Sequence, residues 1–308
     1  MILTICPNPS VDCTIELDSL NVGRLNRIIN KQEIYAGKAL NVAISIKRLG
    51  SDCIATGFMF EENGRQFIDQ FSQEGLTCDF VWNPGSVRVN YKIIDNKSMM
   101  TEINDRGSLV ALDKQEELLN LACSMSQNCS IAVMSGSLPQ GVSKDFYAQL
   151  CTRLPKRVKR IVDAEGEPLF NAVKQGVYMI KPNIEEFERL TKKQFGTKRD
   201  MVSACRQFID MGAENVLLSL GSEGAILTNG SKSYFCKSAS VAVNSTVGAG
   251  DSMVAAAAIA IEKSADMPEI LKCAVAGGTA RVASREPKVY KEKYQEIYPK
   301  LIVEELNY

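Results

Sequence analysis

The 308-residue sequence contains no histidine. That absence removes Ser-His-Asp hydrolysis, Cys-His proteolysis and His-ligated zinc together. A general base must then be Asp, Glu, Lys, Tyr or Cys. Charge of one sign is lacking too: 36 Lys plus Arg balance 36 Asp plus Glu, so no global field draws the chain to nucleic acid or to an anionic membrane. No apolar run is long enough to span a bilayer, and Met1-Ile2-Leu3-Thr4-Ile5-Cys6-Pro7 has neither a basic n-region nor a cleavage pattern. A cytoplasmic location is expected. The ten cysteines are scattered singly with no Cys-x-x-Cys, and read as small buried hydrophobes rather than metal ligands. There is no Gly-x-x-x-x-Gly-Lys-Ser/Thr, no Gly-x-Gly-x-x-Gly after a strand and no Asp-Phe-Gly. P-loop NTPase, dinucleotide dehydrogenase and protein kinase are therefore poor fits.

What remains is an ordinary globular composition, 45% apolar and 23% charged, in a chain long enough to bury a sizeable core. From residue 130 onward short apolar runs alternate with helical segments: Ser130–Met134, Arg160–Asp163, Val177–Ile180 and Asn215–Gly221 read as strands, and residues 143–154 and 198–211 as helices. That order predicts an α/β fold with a doubly wound, mainly parallel sheet. Ligands in such folds sit at the carboxyl ends of the strands. Ser135-Gly136-Ser137, Asp163, Lys181-Pro182-Asn183 and Gly221 should therefore gather along one edge. Residues 13–35 and 87–105 lack a helical period and read as antiparallel ribbons. Strict alternation in Arg88-Val89-Asn90-Tyr91-Lys92-Ile93 puts Arg88, Asn90 and Lys92 on one face. These two segments are expected to form a small β lid inserted into a single main domain, its outer face carrying Val89, Tyr91 and Ile93. Such an apolar sheet face rarely stays uncovered, which predicts a homodimer joined lid to lid.

The most informative stretch is Ser245-Thr246-Val247-Gly248-Ala249-Gly250-Asp251-Ser252, which opens into an apolar, helix-forming run. Glycines permit close backbone approach, and the free N–H groups and dipole of a helix N-terminus attract anions. A carboxylate there suits a proton acceptor, in a reaction that deprotonates a hydroxyl while negative charge builds up beside it. Phosphoryl transfer to an alcohol fits. A plain turn with an Asp N-cap has the same local pattern.

Six motifs in order carry a resemblance: Asn8-Pro9-x-x-Asp12, Gly37-Lys38-x-x-Asn41, Thr101-Glu102-Ile103-Asn104, Ser135-Gly136-Ser137-Leu138-Pro139, Lys181-Pro182-Asn183 and Thr246-Val247-Gly248-Ala249-Gly250-Asp251. Together they make the chain similar, nearly end to end, to the PfkB (ribokinase-like) carbohydrate kinases, in the branch of 1-phosphofructokinase and tagatose-6-phosphate kinase. The resemblance implies one ribokinase-like domain over 1–308. It also implies ATP-dependent phosphorylation of a ketohexose phosphate, with fructose 1-phosphate as preferred acceptor and tagatose 6-phosphate or fructose 6-phosphate as the alternative. Asp251 becomes the catalytic base, and Gly248, Ala249 and Gly250 the anion-stabilising turn. Asp12, Gly37 and Asn41 would hold the sugar, while Lys38, Arg88 and Ser137 meet the phosphate it already carries. Lys181, Asn183, Ser219, Gly221, Gly224 and Thr246 would bind the nucleotide, and Asn183 with Glu186 a hydrated magnesium ion, Glu185 being the alternative.

The chain also departs from the family pattern. Ala36-Gly37-Lys38-Ala39 stands where Gly-Gly-Lys-Gly is usual, adding two methyl groups that crowd the sugar pocket or stiffen its loop. Ser284-Arg285-Glu286-Pro287 replaces a loop that often helps bind a monovalent cation, so dependence on potassium stays open. Two rivals follow: a non-catalytic sugar-phosphate or nucleotide sensor that retains the fold, and a nucleoside kinase, in which Lys38 and Arg88 would have no phosphate to meet.

Overall fold

The computed structural model describes residues 1–284 and 290–307. Its largest feature is a sheet ordered, edge to edge, Val303–Glu305, Ser233–Cys236, Ala225–Thr228, Ala213–Ser219, Val177–Ile180, Lys159–Asp163, Ile131–Ser135, Ile2–Cys6, Cys53–Phe60 and Thr77–Cys78, with Val81–Asn83 also paired to Cys53–Phe60. The strands from Ala213–Ser219 through Cys53–Phe60 run parallel. Ile2–Cys6 and Ile131–Ser135 are buried at every residue, as a parallel strand covered on both faces must be. The alternation read from the sequence is therefore a mainly parallel α/β fold.

Local chemistry sets the helix ends. Lys198–Met211 starts at Thr197, whose side chain accepts the Asp200 N–H, and Lys38–Arg48 ends on Lys47 and Arg48, favourable at the negative pole of the helix. Ala249–Glu262 is buried along most of its length. It lies against Met267–Ala283, where a side-chain carbon added to Gly277 would come within 2.6 Å of Ser252 O. Only a residue without one lets the two helices approach so closely.

A separate small sheet has the order Asn30–Ala36, Ser10–Glu16, Arg88–Ile94, Met100–Asn104. It extends three residues further toward the N-terminus than the 13–35 ribbon. The pairing is antiparallel at both edges, but its central pair, Ser10–Glu16 with Arg88–Ile94, is parallel. The ribbons are thus joined side by side, a long-range pairing that no local pattern encodes. The expected outer face also changes: Val89 packs with Val11 and Tyr35 on the main core, whereas Tyr91 and Ile103 stay exposed. Among the described residues no helix is long and apolar enough to cross a membrane.

Candidate active site

The carboxyl ends of the parallel strands deliver the predicted residues to one rim: Asn8 after Ile2–Cys6, Ser137 after Ile131–Ser135, Asp163 at the end of its own strand, Lys181 and Asn183 after Val177–Ile180, and Ser219 closing Ala213–Ser219. Gly248, in the left-handed region at φ 79, caps helix Ala249–Glu262 and places Asp251 in its first turn. No side chain caps that helix, so the plain N-cap reading of Asp251 does not hold. Its carboxylate instead accepts a hydrogen bond from Asn41 Nδ2 at 2.9 Å. Asp251 is buried. Burial, reinforced by the nearby Asp163 carboxylate, pushes its pKa up to about 6, against the Asn41 hydrogen bond and the charges of Lys38 and Lys181.

Two cavities flank this carboxylate. The first, of about 500 Å³, is lined by Asn8, Lys38, Arg88, Gly136, Ser137, Lys144 and Glu165 among others. Arg88 Nε is buried there without a hydrogen-bond partner, and Asn8 Nδ2 donates to Ser137 Oγ at 3.0 Å. Lys38 Nζ stands 3.7 Å from Asp163 and 3.8 Å from Glu186. Burial opposes its charge, but those carboxylates outweigh burial and hold its pKa above the ordinary lysine value. The second cavity, of about 610 Å³, is lined by Asn183, Ser219, Gly221, Gly224, Thr246, Ala249 and Gly250 and by the apolar Val241, Met253, Val275 and Val282. Asp251 lines neither, but its chain neighbours Ala249 and Gly250 line the second and Lys38, whose charge acts on it, lines the first.

Not every predicted residue lines a cavity. Asp12 lies on the small sheet, where its carboxylate accepts from Asn90 Nδ2 at 3.1 Å and has Lys92 at 3.6 Å. Gly37, at φ 147, fits where a side-chain carbon would come within 2.8 Å of Cys6 Sγ, so its close approach is to its own chain. Lys181 is buried beside Gly250 with Asp163 at 3.6 Å. Ala36 and Ala39 are buried and line neither cavity, Ala39 within the main core. Their methyl groups therefore do not crowd either one. Residues 285–287, where the chain departs from the family's monovalent-cation loop, lie outside the described residues.

Asn183 and Glu186 form a reciprocal cap on helix Ile184–Thr191: the Glu186 N–H donates to Asn183 Oδ1 at 2.8 Å and the Asn183 N–H to Glu186 Oε2 at 2.9 Å. Glu185 points to solvent, whereas Glu186 is buried. Among the described residues no three acidic, Cys or His side chains form a closed metal cluster. Magnesium needs no such cage, since it keeps several waters and uses one or two carboxylates plus substrate phosphates. Glu165 supports the fit: burial, then the Glu186 charge beside it, raises its pKa, a carboxylate crowding that a cation would relieve.

Asp163 and Asn8 were legible without a role of their own, Asp163 as the residue closing a strand at the sheet's ligand edge and Asn8 as the opening of a motif. Nothing local marks Glu165 or Arg281.

The chain matches the model of the pfkB family carbohydrate kinases over residues 8–291. It is 32% identical over 282 residues to the 1-phosphofructokinase of Borreliella burgdorferi, covering 91% of each chain. It is also 32% identical over 312 residues to the tagatose-6-phosphate kinase of Staphylococcus epidermidis, covering 99% of this chain and 100% of that one. The crystal structure of Escherichia coli phosphofructokinase-2 in complex with potassium superposes with a TM-score of 0.89 at 26% identity, over 97% of this chain and 98% of that one. With the family model matched over most of its length and relatives above 30% identity covered nearly in full, the chain belongs to the pfkB family of carbohydrate kinases.

Proposed function

We propose that this protein is an ATP-dependent ketohexose-phosphate kinase that converts fructose 1-phosphate to fructose 1,6-bisphosphate. The observation that carries the reading is the placement of Asp251, a buried carboxylate whose chain neighbours line one cavity and whose charge partner Lys38 lines another that also holds Arg88. The first cavity suits an acceptor that already bears a phosphate, which Arg88, Lys38 and Ser137 would bind; Asp12 and Asn41 would orient the sugar. Arg is apt because its planar fork makes paired charge-assisted bonds to phosphate. The second cavity suits a nucleotide, its apolar wall taking the base and Ser219, Gly221, Gly224 and Thr246 approaching the rest. Lys181 would balance phosphate charge. Asn183 and Glu186 would hold magnesium, which supplies charge neutralisation on the nucleotide phosphates.

Asp251 then takes the proton of the acceptor hydroxyl as that oxygen attacks the terminal phosphorus and the bond from that phosphorus to the ADP oxygen breaks, ADP leaving with the electron pair; the N–H groups after Gly248 favour the charge spread over the transferring group. A base with a pKa of about 6 is largely ionised at neutral pH yet still basic enough to accept the proton. The tagatose-6-phosphate kinase relative keeps tagatose 6-phosphate as the second reading. Ten free cysteines suit a reducing compartment, and we place the enzyme in the cytoplasm. The small sheet acts as a lid, and the exposed Tyr91 and Ile103 form its face toward a second copy. The deciding experiment measures ADP release from ATP and magnesium across free and phosphorylated ketohexoses. Equal turnover of fructose and fructose 1-phosphate would sink the assignment.

A further inference from the structure

Two cations bracket the Gly248–Asp251 turn. A side-chain carbon on Gly250 would lie 3.3 Å from Lys181 Nζ, and that ammonium has its counter-charge in Asp163 at 3.6 Å. A carbon on Gly248 would lie 3.5 Å from Arg281 Nε. Arg281 sits one helical turn beyond Gly277 and Gly278 in Met267–Ala283, so the close packing of the two helices carries its guanidinium to the N-terminus of Ala249–Glu262. Among the described residues it makes no ion pair. Its ionisable neighbours are Arg48 of helix Lys38–Arg48, Tyr290 of helix Tyr290–Ile297, and Asp251. Arg48 is itself engaged by Glu74. Burial, then the like charge of Arg48, holds the Arg281 pKa below the ordinary guanidinium value.

Each part of this placement disfavours the free protein. The N-terminus of a helix repels a cation, partial burial strips water from it, and Arg48 adds a second positive charge. An arriving anion reverses all three effects, and the unpaired N–H groups of the turn attract the same anion.

We propose that Arg281 is a positioning residue for the transfer step: its guanidinium braces the turn at Gly248, favours negative charge arriving there and keeps Asp251 a carboxylate. The proposal rests on the kinase reading above and assigns Arg281 no contact with substrate. The other groups facing Asp251 are Asp163, which opposes its ionisation, and Asn41, Lys38 and Lys181, which favour it. Arg281 joins the second set as a weaker member, from a helix that none of these occupies.

The test uses Arg281→Met and Arg281→Lys in the full chain, each with and without Asp251→Asn. The first arm needs no activity. Calorimetric stability is measured from pH 4 to 8, and the difference between chains with and without Asp251→Asn is plotted. Asp251 has a raised folded pKa, about 6, so the stability of the chain bearing it falls relative to its partner as pH rises from about 4, and levels off near the folded pKa. That upper end should move up by roughly half a unit or more in Arg281→Met and stay in place in Arg281→Lys. In the second arm the acid limb of kcat/KM should shift by the same amount in Arg281→Met, with kcat reduced roughly tenfold and KM for the sugar phosphate within about threefold. The Tm of Arg281→Met should be unchanged or higher. An unmoved upper end overturns the proposal. So does a Tm loss of several degrees that Arg281→Lys does not rescue, which would make Arg281 a packing residue only. If the unmodified protein phosphorylates no sugar in the panel, the kinase reading falls instead, and the stability arm still decides whether Arg281 acts on Asp251.

Discussion

The two cavities beside Asp251 are built by opposite means. The first draws charged and polar side chains from distant segments, Asn8 beyond the first strand, Lys38 from a helix, Arg88 from the small sheet, Ser137 from a loop and Glu165 beyond another strand, and sets them beside a few apolar groups such as Leu138 and Val142. The second is made largely of backbone and small apolar groups on the large sheet's rim and on the adjoining helices. A cavity of the first kind recognises by charge and loses much when one side chain goes. A cavity of the second kind recognises by shape and tolerates more. Asp251 belongs to neither and should serve both.

The sharpest test of that shared position is Asp251→Asn. The amide keeps the size and can still accept from Asn41 Nδ2, but it takes no proton, so turnover should fall by roughly a hundredfold or more while ligand affinities change little. Wild-type kcat/KM should fall about tenfold per pH unit below about 6, because protonation removes the base; the substitution should abolish that limb. The same change should stabilise the protein at neutral pH by up to about 3 kcal/mol, since roughly two units of raised pKa disappear. That gain belongs to the pH range above the unfolded aspartate pKa and should vanish below about pH 4. Calorimetry at both ends checks it. A stability loss at pH 7 would mean that the carboxylate is structural.

The charged cavity is broken next by Arg88→Ala. Loss of one to two charge-assisted bonds should lower kcat/KM for the sugar phosphate by about a hundredfold, and damage activity on the free sugar far less. ATP affinity measured without sugar should move by less than about threefold, and a larger change would show the two cavities to be coupled. A smaller effect is expected in the second cavity from Val241→Asp, which sets a carboxylate in the apolar wall. KM for ATP should rise roughly tenfold with kcat nearly kept. Smallest is the small-sheet face: Tyr91→Lys with Ile103→Lys should convert dimer to monomer by light scattering at micromolar concentration, while surface substitutions of this kind change monomer stability by less than about 0.5 kcal/mol. If the unsubstituted protein is itself monomeric, the lid-to-lid assembly is wrong.

The contrast between the cavities also marks how far the sequence could be read. Helix 198–211 was legible to the residue, because Thr197 and the apolar spacing fix it locally. The Gly248–Asp251 turn was legible because glycines, carboxylate and helix start lie within a few residues of one another. The direction of the Ala36 and Ala39 methyl groups was not, since the facing of a strand's last residue and a helix's first turn depends on what packs against them. Nor was the parallel pairing at the centre of the small sheet, which joins residues about 78 positions apart.

The sequence by itself determined the α/β alternation, the strand ends that form the rim, and a carboxylate at a glycine turn with no histidine to compete with it. Each is a local pattern of propensity and spacing. Only the tertiary structure decided which charges meet there. It tied Asp251 to Asn41, set Lys38 between Asp163 and Glu186, buried Arg88 Nε without a partner and brought Arg281 against Gly248. Electrostatic neighbourhood depends on distance and burial in the packed molecule, and neither is written into the order of residues along the chain.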